Sequence, residues 1–289
     1  MMELSFKNMI ECLQFSPADF FGVKYGLKPV SRIDVGRMQQ VSLLNALCQK
    51  EGIKLKIIET KIYDSKDNFT LAYISKSEKL IEEAARAERE GNRLKVAELF
   101  GYPECCAKFF IKNLNSKTKG ENGHLIIDIY KNSSKPFSYY LNSIYNTSGK
   151  GNSKIICSET FFQRLGSFCL YYIPHHACSF NCKKSIAFGK EMEKIFRDEL
   201  PEFNAFLKHI LKKPVLVFDD MLFCAFNGLM RGNKVEYETI IPELSFLEAK
   251  IKKIILEGDE IIKEKSGFYV YKNGMFVGSF KDAILLQFE

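Results

Sequence analysis

Apolar and polar positions along the chain form short runs whose period switches repeatedly between helical and extended spacing. Pro17 follows Ser16 and precedes Phe20 and Phe21, the layout of a serine-capped helix with proline in its first turn. Val41, Leu43, Leu44, Leu47 and Cys48 recur at helical spacing. Residues 54–63 and 69–74 are β-rich and flank a turn-like stretch at 64–68, which predicts two strands. Ser75 and Glu78 have capping-box spacing, so a helix is expected through Leu80, Ile81, Ala84 and Ala87.

Gly91 and Asn92 break that helix, and a short one at 94–100 is expected to end on Gly101, where a C-cap glycine belongs. Pro103 then opens a further helix that carries Phe109, Phe110 and Ile111 inward and holds Cys105 and Cys106 in its first turn. A polar loop is expected from Asn113 to Asn122, with Lys117, Thr118, Lys119 and Gly120 at its tip. Residues 146–153 look like a linker and not a phosphate loop, because Ile144 stands where the Walker spacing needs glycine. Residues 168–173 are apolar enough for a buried strand stopped by Pro174, and from about Ser179 a helix is expected through Ile186, Met192, Ile195 and Phe196.

From Pro214 the texture changes. Strands are expected at 215–218 and 221–226 on either side of Asp219 and Asp220, and residues 235–240 alternate as a half-exposed strand does. A helix with Leu247, Ile251, Ile254 and Ile255 on one face leads to 268–277, where Asn273-Gly274 signals a two-residue hairpin turn. The sum is a mixed fold, α+β or α/β, with a main domain at 1–213 and a smaller α+β module at 214–289.

Composition narrows the setting. With 46% apolar and 27% charged residues the chain is ordinary globular protein, long enough to bury a large core. No apolar run approaches the roughly 20 residues of a membrane span, and the first residues lack the basic and apolar regions of a signal peptide. A cytoplasmic protein without membrane contact is therefore expected. In that reducing setting nine cysteines are core thiols, ligands or nucleophiles, and the sequons at Asn68, Asn132 and Asn146 mean only surface loops. A formal charge of +7 is mild for this length; it favours small anionic substrates and leaves nucleic acid open as a partner.

Cys12, Cys48, Cys157, Cys169 and Cys224 have apolar neighbours and read as packed core thiols. Cys105, Cys106, Cys178 and Cys182 do not: their flanks are turn and cap residues. A cysteine at a helix start is biased toward thiolate, the form that binds metal or attacks an electrophile. Cys178 and Cys182 stand four apart and in a helix would share one face, with His175 able to join them and His176 diverging. Three geometries follow: four-coordinate zinc on Cys178, Cys182 and one of Cys105 or Cys106, with His175 or an exogenous ligand; an iron–sulfur cluster on the same three thiolates with one iron left open; or a metal-free reactive dithiol. The cysteine spacing also invites comparison with three-cysteine radical enzymes, but the third position is Ser185, a poor iron ligand. His124 and His209 read as surface or capping residues, Asp219-Asp220 as a polar turn, and the lysines of 183–213 as a solvated helix face.

Leu99 to Cys106 with Phe109-Phe110, followed by His175-His176-Ala177-Cys178-Ser179-Phe180-Asn181-Cys182, resembles an uncharacterised prokaryotic family, domain of unknown function 483. The resemblance rests on these two motifs and implies that they form one site, without implying an activity. The family pattern carries proline where this chain has His176 or Ala177, which speaks against His176 as a ligand. The expectation is a metal-thiolate protein, iron–sulfur or zinc, acting as an enzyme on a small or anionic substrate through Cys105, Cys106, Cys178, Cys182 and His175. A metal-free thiol enzyme with His175 as base and a nucleic-acid-binding module are the alternatives.

Overall fold

A computed structural model describes residues 17–34, 38–60, 69–116, 125–146, 170–220 and 222–289. Helix α1 (Pro17–Lys24) starts on the expected proline and leads into β1 (Val30–Asp34). Helix α2 (Met38–Lys50) turns Leu44, Leu47 and Cys48 inward, and β2 (Lys54–Thr60) and β3 (Phe69–Ser75) complete a three-stranded antiparallel sheet in the order β1-β3-β2. Alternation along β3 sorts its side chains between two cores. Leu71 and Tyr73 pack against α3 (Glu78–Arg89) and α4 (Arg93–Leu99), while Ala72 and Ile74 join the core that α1 and α2 help to build. The expected capping box at Ser75 gives way to a different device. Ser77 is the cap residue of α3, and the Ser75 hydroxyl accepts from the Ser77 N–H at 3.1 Å and donates to the Pro29 carbonyl at 2.7 Å, tying the helix entry to β1.

Helix α5 (Glu104–Ser116) outruns the loop expected from Asn113, whose side-chain amide donates to the Phe109 carbonyl one turn back and so supports the helix. Helix α6 (Leu125–Lys131) is capped from a distance: the Asp220 carboxylate accepts from the Leu125 and Ile126 N–H groups at 2.6 and 2.7 Å. Asp219 accepts from the Leu222 N–H at 2.6 Å, so both aspartates serve the turn and the cap. Leu170 to Ile173 are buried as their apolarity demands, but form no strand; their side chains fill the helical core, where Tyr172 donates to the Asn204 side chain at 2.8 Å. Burial alone does not make a strand without a neighbouring edge to pair with. Helices α7 (Lys183–Glu199) and α8 (Pro201–Leu211) follow.

The C-terminal part is an antiparallel sheet of seven strands, β10-β4-β5-β6-β7-β8-β9, with one helix against it. Its strands are β4 (Val215–Val217), β5 (Phe223–Arg231), β6 (Lys234–Phe246), β7 (Glu260–Glu264), β8 (Gly267–Lys272), β9 (Met275–Phe280) and β10 (Ile284–Leu286), and α9 (Ala249–Glu257) lies between β6 and β7 in sequence. Asn273 and Gly274 both have positive φ, 48° and 78°, as the expected hairpin turn requires. Val215, Val217, Phe223 and Ala225 pack into the helical core, and Leu216, Cys224 and Phe226 into the core under α9. Buried on both faces, β4 and the start of β5 therefore read as unbroken apolar runs. Every ladder between named strands is antiparallel, so the mixed fold is α+β, not α/β.

Cys48 and Cys224 are core thiols as expected, and His209 is exposed on α8. Cys12, Cys157, Cys169, His124, Asn68, the 117–120 tip and 147–153 of the linker-like stretch lie outside the described residues. Among the described residues no helix is long and apolar enough to cross a membrane.

One buried charge organises the N-terminal part. The Lys28 side chain is fully buried, its ammonium pairs with Asp19, and the Ser31 hydroxyl donates to the Asp19 carbonyl at 2.9 Å. Burial pulls the Lys28 pKa down while Asp19 pulls it back up. Replacing Asp19 with alanine strands that lysine, and unfolding in urea is expected to show a loss of about 3–5 kcal/mol. A loss near that of an ordinary surface substitution would show that the pair does not hold this region.

Candidate metal centre

Two short segments supply the four sulfurs. The first is set by the end of α4. Gly101, at φ 73°, closes a Schellman turn in which the Tyr102 N–H donates to the Ala97 carbonyl at 2.9 Å and the Gly101 N–H to Glu98 at 3.0 Å. A Cβ at Gly101 would stand 3.2 Å from both the Leu27 carbonyl oxygen and Pro29, so glycine also lets the turn lie against the bend that leads into β1. The Pro103 carbonyl then accepts from the Cys106 and Ala107 N–H groups at 2.9 and 3.0 Å and starts α5. Cys105 and Cys106 are thereby the second and third residues of that helix, as the sequence predicts.

The second segment runs from Pro174 to Cys182. Cys182 is the cap residue of α7, which begins at Lys183 and not near Ser179, and Cys178 stands in the turn before it. The two cysteines therefore do not share a helical face. A turn closed by the Cys182 N–H to the Ser179 carbonyl, at 3.2 Å, brings them together instead. The 132–138 stretch clamps this turn. Asn132 donates to the Cys178 carbonyl at 2.8 Å, Ser133 accepts from the Phe180 N–H at 2.7 Å, and the Ser138 N–H donates to the Phe180 carbonyl at 2.9 Å. Phe180 is itself fully buried against Phe137 and Phe288. Glu289 exchanges backbone hydrogen bonds with Phe137 and Tyr139 at 2.8 and 3.1 Å, so the C-terminal residues back the clamp. Helix α7 lies close to this region because Gly189 has no Cβ, which would stand 2.8 Å from Tyr140.

The result is a group of four sulfurs, Cys105, Cys106, Cys178 and Cys182, all within 4.8 Å of one another, a group that could hold a metal ion. Cys106 and Cys182 are 3.7 Å apart, Cys105 and Cys182 3.8 Å, and Cys105 and Cys106 3.9 Å. Both members of the adjacent Cys105-Cys106 pair reach the group, a point the sequence leaves open. The Cys178 N–H donates to the Cys106 sulfur at 3.3 Å, and the Ser185 hydroxyl lies 3.2 Å from the same sulfur. Cys105 is exposed and Cys178 half-buried, whereas Cys106 and Cys182 are buried at 1% and 8%.

His175 stands next to this group and is not one of the four. Its Nε2 meets the fully buried Ser185 hydroxyl at 2.9 Å, and its Nδ1 has no hydrogen-bond partner among the described residues. The rings of the histidine pair hold the two motifs together. Tyr102 lies over His175 with centroids 5.1 Å apart, Phe110 stacks on His176 at 5.9 Å, and Lys28 approaches the other partner of this contact, the Tyr102 ring, at 5.3 Å. Ser185, Asn132, Ser133 and Lys28 are the residues that sequence reasoning overlooks. The sequence signal for Ser185 is its place three residues after Cys182, in the first turn of α7.

Without an ion the sulfurs must share protons. The hydrogen bond from Cys106 lowers the Cys182 thiol, with Ser185 helping, while the same bond and burial raise Cys106. Burial pushes Cys178 up to about 11. In the metal-free protein the hydrogen bond thus favours a thiolate on Cys182 beside a thiol on Cys106. Comparison finds no family model, no curated protein and no solved structure that matches the chain.

Two outcomes follow. Iodoacetamide on the chelator-treated native protein is expected to modify Cys105 first, while Cys48 and Cys224, pushed up to about 12 by burial, react only on unfolding; peptide mass analysis reads the order. Burial, with Lys28 and His176 adding, pushes His175 down to about 3 from 6.5. The unfolded chain therefore binds more protons in that window, and stability is expected to fall as pH drops through it. Chemical denaturation at graded pH, compared between wild type and His175→Phe, isolates the contribution, and equal slopes would remove it.

Proposed function

We propose that the chain is a metal-thiolate protein in which Cys105, Cys106, Cys178 and Cys182 hold a single tetrahedral ion, zinc by preference. The sulfur spacing carries this reading. Bonds of ~2.3 Å from zinc to four thiolates give a tetrahedron with edges of about 3.8 Å, and the closest sulfur pairs stand at 3.7, 3.8 and 3.9 Å. A single iron in four thiolates makes a similar demand. An iron–sulfur cluster makes a different one, because its thiolates bind separate irons and are spread further apart. The spacing therefore favours one ion over a cluster.

Four thiolates on a divalent ion carry a net negative charge that needs donors around it. The Cys178 N–H and the Ser185 hydroxyl supply two at Cys106, and His175, with its proton on Nε2, orients that hydroxyl from behind. Such a site is coordinately closed, so a substrate would meet the exposed Cys105 sulfur and not a vacant position on the ion. The two motifs on which the chain resembles domain of unknown function family 483 would then be the two halves of this centre.

A metal-free thiol enzyme is the second reading, favoured by the lowered Cys182 thiol. In that case His175 would act through Ser185, since no sulfur meets its Nε2 directly. The nucleic-acid alternative has Tyr269, Tyr271 and the exposed Phe276 in its favour, but Lys234 on that sheet face is already paired with Glu236 and Glu260, which leaves it a poor phosphate contact.

Elemental analysis of anaerobically purified protein is expected to find about one zinc or iron per chain, and cobalt substitution to give the intense thiolate-to-metal absorption of a tetrahedral four-sulfur site. Ser185→Ala should weaken metal binding by about 10–100-fold, and Cys106→Ser or Cys182→Ser should weaken it further. Protein that carries no metal and takes up no cobalt would overturn the reading in favour of the second one.

A further inference from the structure

The four sulfurs are unequally placed. Cys105 is the exposed one, Cys178 is half-buried, and Cys106 and Cys182 are buried at 1% and 8%. Cys105 faces solvent from the first turn of α5, beside the exposed Glu104–Lys108 ion pair. A small oxidant can therefore reach one ligand of the site before the others. We infer that Cys105 is an oxidant-sensing sulfur, through which a hydroperoxide converts the site to a Cys105–Cys182 disulfide and expels the ion; this regulation rests on the metal-thiolate reading above.

Geometry selects the partner. Cys106 is near enough at 3.9 Å, but consecutive Cα atoms lie only ~3.8 Å apart across a trans peptide, below the roughly 4.4 Å that ordinary disulfides need. Both residues are also inside α5, whose backbone would have to distort. Cys182 lies at 3.8 Å on a separate segment and carries no such constraint. Cys178 belongs to the same group of four, within 4.8 Å, but the close sulfur contacts of Cys105 are to Cys106 and Cys182.

The chemistry balances with the peroxide as the two-electron oxidant. The Cys105 thiolate attacks the peroxide, the O–O bond breaks, an S–O bond forms, and a proton taken from solvent completes one water or alcohol. The Cys182 thiolate then attacks the Cys105 sulfur; the S–S bond forms as the S–O bond breaks, and the departing hydroxide takes up a second proton as water. The two sulfurs lose two electrons in total, and zinc leaves as the divalent ion it was. Cys106 and Cys178 remain, two ligands where four-coordination is needed. The new bond joins the start of α5 to the cap of α7, the same two elements the ion had joined. A dithiol reductant restores the four thiolates and hence metal uptake.

The test uses the full chain loaded with zinc and assayed for it beforehand. Hydrogen peroxide is added anaerobically in the presence of a chromophoric zinc chelator, and non-reduced peptides are then mapped by mass. The expected result is about one zinc released per disulfide, with the Cys105–Cys182 linked peptide dominant and reuptake after dithiol treatment. Cys178→Ser, which retains both reacting sulfurs whatever its metal affinity, should yield the same linked peptide, and Cys105→Ser should not. Zinc retained while peroxide is consumed, a dominant link that omits Cys105, or Cys105 driven to sulfinic acid without a disulfide overturns the inference and leaves the metal reading standing. Protein that carries no metal and cannot be loaded with zinc or cobalt before oxidation overturns both.

Discussion

Four thiolates cannot share a volume a few ångströms across unless something positive sits among them. At the 3.8 Å that separates Cys105 from Cys182, two like charges repel by about 4 kcal/mol at the effective dielectric of a protein surface, and the group contains several such pairs. Protons on most of the sulfurs or one divalent cation are the available remedies. The first leaves thiols near thiols with weak hydrogen bonds; the second converts the whole repulsion into coordination. The surrounding donors, one backbone N–H and one buried hydroxyl aimed at Cys106, suit a sulfur that stays an acceptor.

The scaffold supports that arrangement from several directions. A Schellman turn fixes the entry to α5, and the bend at 27–29 lies under its glycine. Asn132, Ser133 and Ser138 hold the other segment by its backbone, leaving its cysteine side chains free of that duty. Aromatic contacts between Tyr102 and His175 and between Phe110 and His176 close the gap between the two. The histidines adjoining the cysteines thus contribute through their ring faces and through Ser185, a role that a ligand search by residue type does not foresee.

Much of this is legible from local pattern, because local pattern is set by nearby residues. The helix starts at Pro17 and before Cys105, the glycine stop at 101 and the Asn273-Gly274 hairpin are each fixed within a few positions. The convergence of the two cysteine motifs is suggested by composition, since sulfur-rich turns have little other use. What local pattern misses is decided by distant partners. Residues 170–173 have strand-like apolarity but no strand beside them among the described residues, Ser75 donates its hydroxyl to the distant Pro29 carbonyl, and Ser185 matters only because His175 and Cys106 fold onto it. Nothing in the pattern around Lys28 marks it for burial; its partner is Asp19, nine residues earlier.

The pairing of residue 137 with residue 288 sets a temporal order on the molecule. A ribosome exposes the cysteine motifs before Phe288 can reach Phe137 and Phe180, so until then the turn that presents Cys178 and Cys182 lacks this support. Loop closure over such a separation is slow compared with helix formation. The nascent sulfurs must therefore be kept reduced through that interval, because the centre matures only after the segment around Phe288 has docked.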